Sequence, residues 1–156
     1  MRAEIREALR CIGFNDVDAS TAIRNRSLLV ELLPDVIKEF YDHLFSIGHG
    51  ELFRAIDVER LKARQLEHWR RLFRAEFDDV YANHVTRIGV VHRDNQITPK
   101  VYMQAYGWFT SRLVERIVDH PEIDPPDRSR LAAVVLKLIH LDMTMALASY
   151  DAALID

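Results

Sequence analysis

The chain has 156 residues, 49% of them hydrophobic and 29% charged, and a net charge of −3. That length suits one domain with a real core. The balance argues against disorder, and too little positive charge is present to commit the chain to nucleic acid. The single cysteine, Cys11, excludes an internal disulfide framework and any CxxCH attachment motif, and it suits a reducing cytoplasm. The opening MRAEIREALRCIGF is broken by charge too often for a signal peptide, and no stretch reads as long enough to span a membrane.

Glycine and proline number five each, β-branched alternation is scarce, and apolar residues recur every three or four positions, so the fold class is all-α. Residues 2 to 12 read as a short leading helix that stops near Gly13. A second begins after the cap-like Asn15, Asp16 and Asp18 and runs towards Leu33. Pro34 opens the next, where its missing N–H costs little. That helix extends to about 47, carries Val36, Ile37, Phe40, Tyr41, Leu44 and Phe45, and ends at GHG. Further helices are expected over 57 to 75, 78 to 93 and 98 to 120. The punctuation PEIDPPD at 121 to 127 precedes a last long helix over 128 to 155. No repeat, low-complexity tract or linker divides the chain, so 1–156 reads as a single domain.

In the last helix Leu131, Val134, Val135, Leu138, Ile139, Leu141, Met145, Ala148 and Ala152 cover more of the circumference than one core-facing stripe needs. The second apolar side meets either the rest of its own domain or a partner chain. In the 78 to 93 helix, Tyr81, Val85, Ile88 and His92 fall at intervals of four, three and four, which points His92 inward. A buried imidazole needs a partner, either a hydrogen bond in the core or a metal. Spacing leaves both open. Leu61, Gln65, Trp69 and Leu72 likewise share one face of the 57 to 75 helix.

The flanks of His92, RIGVVH and then TPKVYMQAY, resemble the proximal-histidine region of the globin-coupled sensors, the haem-binding sensory globins of bacteria. FYDHL at 40 to 44 resembles that family's distal tyrosine segment; VERLK at 58 to 62 and LEHWRRLF at 66 to 73 resemble its distal helix. The resemblance implies a globin fold with an extra N-terminal helix, built around one noncovalent haem b. It makes His92 the axial iron ligand, Tyr41 a hydrogen-bond donor to bound O2, CO or NO, and Tyr102 a neighbour on the proximal side. Phe40, Leu44, Leu61, Gln65, Trp69, Val85, Ile88, Val91 and Met103 are the remaining candidates for the pocket. On their residues alone, Tyr41 is equally a core tyrosine bonded to a carbonyl, Tyr102 a half-buried aromatic, and the aliphatic set generic core.

The same family dimerises through the helices expected at 98 to 120 and 128 to 155 and controls an attached or separate output module. The chain ends where the globin should end, as an excised sensor or a free-standing member would. Arg64 departs from the family, which has a small or hydroxyl-bearing residue there. A charge over the iron is costly unless paired, so either the helix is rotated or Arg64 reaches the rim, where it can pair with a haem propionate; His68 is a second candidate for that rim role or, alternatively, a sixth iron ligand. Gln96 stands where the family has glycine in the turn after His92. The basic series Arg60, Lys62, Arg64, Arg70, Arg71 and Arg74 reads as a solvated face.

No Glu-x-x-His pair, HExxH motif, phosphate-cradling loop or nucleophile elbow is present, so the domain is not expected to be an enzyme. The expectation is a cytoplasmic gas sensor without membrane or nucleic-acid contacts. The alternative is a haem-free sensor globin acting as a protein-interaction domain of a stress-signalling scaffold, which would have no need of His92.

Overall fold

In the computed structural model, which describes residues 1–151, no strand occurs among the described residues. The helices are α1 (Ala3–Cys11), α2 (Asp16–Arg24), α3 (Arg26–Ser46), α4 (Val58–Leu72), α5 (Asp79–Asp94), α6 (Pro99–Val118) and α7 (Pro125–Asp151), with a 3-10 turn over His49–Phe53 between α3 and α4. Most starts are written locally. Asn15 Oδ1 accepts from the Val17 and Asp18 amides while the Asp18 carboxylate accepts from the Asn15 amide, a reciprocal capping box for α2. Asp57, Asp78 and Thr98 cap α4, α5 and α6 through their side-chain oxygens, and Pro99 occupies the first turn of α6.

One boundary differs from expectation. Pro34 does not begin a helix; it lies inside α3, and the chain breaks instead at Asn25, whose amide and Nδ2 both donate to the Thr21 carbonyl. Pro34 is exposed, so water can satisfy the Val30 carbonyl that the proline leaves without a donor. On the opposite face Leu29, Leu33, Val36, Ile37 and Phe40 are buried without interruption, and that stripe carries the helix across the proline.

Helix α7 is the centre of the packing. It lies against α1, α2, α5 and α6, while α3 packs on α4 and α6. By length and composition α7 could cross a membrane, contrary to the sequence expectation: its most apolar stretch has a mean hydropathy of 1.8. Yet 56% of that stretch is buried within the protein, as in the core helix of a globular domain. Leu131, Val134, Val135, Leu138, Ile139 and Leu141 are enclosed by this chain itself, so most of the wide apolar surface is satisfied internally. What remains outward is a narrow uncharged stripe that includes Ala133, Leu136, His140 and Thr144. Ala152 and the expected end of the helix at 155 lie outside the described residues.

Helices α5 and α7 approach backbone to backbone at Gly89. A Cβ there would come within 2.0 Å of the Ala146 carbonyl oxygen and of Ser149 Oγ. This crossing holds the last turn of α5, and His92 with it, against the core.

Candidate functional site

His92 sits in the last turn of α5, where its Nδ1 lies 2.8 Å from the Ile88 carbonyl oxygen one turn back. A carbonyl can only accept, so Nδ1 carries the proton and donates, leaving Nε2 with a free lone pair. Nε2 hydrogen-bonds to no described residue. Burial lowers the pKa of His92, against the opposing pull of the Ile88 carbonyl, and so favours the neutral imidazole that a metal requires. The ring meets that of Tyr102 edge to face, with centroids 4.9 Å apart.

Gln96 has φ +60°, the left-handed region glycine prefers, and its amide donates to the Arg93 carbonyl. Gln96 therefore takes the conformation that glycine adopts most readily.

Tyr41, on α3, is 7% exposed, with its ring against Phe40 at 5.4 Å and Phe53 at 5.6 Å. Burial pushes its phenol up to about 12, and the hydroxyl bonds to no described residue. Tyr41 and His92 belong to one continuous aromatic assembly. From His92 it runs through Tyr102, Tyr106, Trp69, Phe109 and Phe40 to Tyr41, each ring within 6 Å of the next. Trp69 stacks almost parallel on Phe109 at 4.6 Å. Gln65 is half-buried and its Oε1 is buried without a partner, an acceptor awaiting a donor. Val85 is fully buried, and Leu44, Leu61 and Ile88 are half-buried.

Other candidates fall elsewhere. Val91 is 47% and Met103 50% exposed, so neither is part of the enclosed core. Arg64 is exposed and, with Arg60, Leu61 and Asp57, lines an open cavity of about 350 Å³ at the start of α4. His68 is not at a rim. It is 5% exposed, and its Nε2 reaches from α4 to within 2.8 Å of Asp142 Oδ2 on α7.

Asp142 is the residue that sequence reading passed over. Fully buried on α7, it accepts at Oδ2 from the Tyr106 hydroxyl (2.8 Å) and from His68, and at Oδ1 from the Tyr81 hydroxyl (3.1 Å). Tyr106 in turn accepts from the Tyr102 hydroxyl at 3.0 Å. Burial and then the nearby Asp142 raise the pKa values of Tyr81, Tyr102 and Tyr106, so all three remain phenols and can donate. The available signal was a lone carboxylate between Leu141 and Met143 in an otherwise apolar stripe. His84 adds a second imidazole, stacked on His68 at 5.2 Å.

Among the described residues no group of three or more His, Cys, Asp or Glu side chains is arranged to hold an ion. A metal at His92 would need most of its ligands from a non-protein group, and an iron porphyrin supplies four nitrogens. One free imidazole nitrogen beside a large aromatic assembly fits that requirement.

Comparison with known proteins agrees with the motifs. The family model described as Protoglobin matches residues 1–155. The heme-based aerotactic transducer HemAT of Halobacterium salinarum is 31% identical over 160 residues, which cover 95% of this chain and 32% of that protein, so the chain spans about a third of the relative it matches. The globin domain of a Geobacter sulfurreducens globin-coupled sensor has the same fold, with a TM-score of 0.81 at 22% identity over 93% of this chain and 96% of that one.

Proposed function

Because the chain belongs to the Protoglobin family, we propose that it is the haem b-binding globin domain of a gas sensor, with His92 Nε2 as the axial ligand. Bound haem would supply an iron able to bind O2, CO or NO, and His92 would hold it. The observation that carries the reading is the free Nε2 of a neutral, carbonyl-oriented imidazole, the arrangement by which proteins present histidine to a metal.

Each remaining residue then has a definable task. Tyr41 offers an uncommitted hydroxyl from an apolar surround, so it can donate to a bound gas, and Gln65 is a second polar group on that side. Phe40, Leu44, Leu61, Trp69, Val85 and Ile88, buried or half-buried, would exclude water from bound haem. Tyr102 packs against His92 and limits rotation of its ring. Arg64, exposed at the cavity beside α4, would be available to pair with a propionate of bound haem.

The domain senses rather than catalyses. It works in the cytoplasm and pairs with a second copy through the outward faces of α6 and α7, passing the state of the pocket to an output module. The uncharged stripe of Ala133, Leu136, His140 and Thr144 on α7 supports that pairing. The relative named a heme-based aerotactic transducer is about three times as long as the matched part, which leaves room there for such a module.

The test is direct. Purified with added hemin, the wild type is expected to show a Soret band at one haem per chain, and His92→Ala to lose most of it. Equal Soret intensity and identical ferrous spectra in the two proteins would remove His92 from the role. No uptake by the wild type would favour the haem-free interaction domain.

A further inference from the structure

We propose that Asp142 is a positioning residue for His92: its carboxylate, acting through Tyr106 and Tyr102, sets the orientation of the imidazole. The proposal rests on the reading of His92 as the axial ligand, and it adds a residue that lies on a different helix and touches neither His92 nor the gas pocket's candidate donors.

His92 has two restraints, the Ile88 carbonyl on Nδ1 and the edge-to-face contact with Tyr102. The first fixes which nitrogen is free; the second limits how far the ring turns about its own side chain. Tyr102 can limit it only if its own ring is held, and its hydroxyl is tied to Tyr106, whose hydroxyl is tied to Asp142 Oδ2. A carboxylate is a charge-assisted acceptor, roughly twice as strong as a neutral one, and successive hydroxyls polarise one another in a buried chain. Asp142 is itself immobilised by two further donors, Tyr81 from α5 and His68 from α4. One carboxylate thus ties α4, α5 and α6 to α7, and the branch through α6 ends on the ring beside His92.

Acceptor capacity makes the proposal specific. Asp142 accepts at both oxygens, from Tyr106 and His68 at one and from Tyr81 at the other. An asparagine has nearly the same shape but only one acceptor oxygen, and its amide nitrogen donates. Turned one way, the amide nitrogen of Asp142→Asn faces Tyr106 and His68 and displaces them; turned the other, its oxygen stays on Tyr106 as a weaker, uncharged acceptor while the nitrogen donates to the Tyr81 hydroxyl, so the Tyr106 arm is weakened either way. Loosening Tyr106 frees Tyr102.

The readout is the iron–imidazole stretching band of the ferrous, haem-loaded protein by resonance Raman, compared across wild type, Asp142→Asn, Tyr106→Phe, the double variant and Leu29→Ala. Leu29 is fully buried on α3 and lies outside the chain of hydrogen bonds, so its truncation reports general destabilisation. Both single variants are expected to move the band in the same direction. The double variant should move it no further than the larger single, because both cut one chain, while Leu29→Ala lowers Tm and leaves the band in place. A band unmoved by Asp142→Asn and Tyr106→Phe, or moved equally by Leu29→Ala, overturns the proposal. If Asp142→Asn does not fold, Tyr106→Phe makes the same cut one link nearer His92 and decides alone. Should the wild type take up no haem, the axial-ligand reading fails separately. The ring nitrogen resonances of His92 in the haem-free protein then carry the comparison: changed resonances in Tyr106→Phe but not in Leu29→Ala support positioning by Asp142, and unchanged ones overturn it.

Discussion

Replacing Gly89 with alanine tests the crossing that seats the His92 helix. The added Cβ would stand 2.0 Å from the Ala146 carbonyl oxygen and from Ser149 Oγ, and 2.9 Å from the Ala146 carbonyl carbon. Carbon and oxygen settle at about 3.3 Å or more, so α5 and α7 must part by more than about 1 Å. The obstacle is backbone. Ser149 cannot simply swing away either, because its hydroxyl donates to that same Ala146 carbonyl. Overpacking of this kind costs about 1 to 3 kcal/mol and sometimes more, while exchanging glycine for alanine inside a helix returns about 1 kcal/mol. With a clash this deep, a net loss of about 2 kcal/mol is expected, or a fall in Tm of about 4 to 8 °C for a domain of this size. Thermal melts followed by far-UV circular dichroism measure it. An unchanged or raised Tm would mean that helix propensity outweighs the contact and that the two helices do not meet so closely.

Tyr41→Phe is expected to weaken O2 binding by a factor of about five to more than a hundred, the equivalent of about 1 to 3 kcal/mol for a lost hydrogen bond. CO, which carries less negative charge when bound, should suffer less; equal changes in the two dissociation rates would make Tyr41 a core tyrosine and move attention to Gln65. Sedimentation at micromolar concentration should show a dimer that Leu136→Glu converts to monomer, since Leu136 is 38% exposed on the outward stripe of α7; a monomeric wild type would refute the pairing. Burial first of all lowers the pKa values of His84 and His92, so the folded chain binds these protons less readily than the unfolded one. Their contribution is complete above the unfolded value of about 6.5 and is lost as pH falls below it. The haem-free protein should therefore melt lower at about pH 5.5 than at about pH 7.5, with a shallower dependence in His84→Gln; an unaltered slope in that variant would exclude His84 as a contributor.

Features set by neighbours in the chain are legible in the sequence itself. Asn15 and Asp18 cap α2 because each can reach the other's amide three residues away, and the same reach lets Asp57, Asp78 and Thr98 mark the starts of α4, α5 and α6. The inward setting of His92 and its tie to Ile88 follow from helical periodicity, for a residue four positions back is always one turn below. Periodicity gives a direction but not the object found there. It could not say that Pro34 would be carried inside α3, since that depended on a buried stripe outweighing one lost hydrogen bond. Nor could it say that Val91 and Met103 would face outward, or that most of the wide apolar surface of α7 would be covered by its own chain. His68 and Asp142 are 74 positions apart, and no local rule pairs them. A carboxylate in an apolar stripe states only that a partner must exist, because burying it alone would be prohibitive; packing α4, α5 and α6 around α7 decided that the partners are His68, Tyr81 and Tyr106.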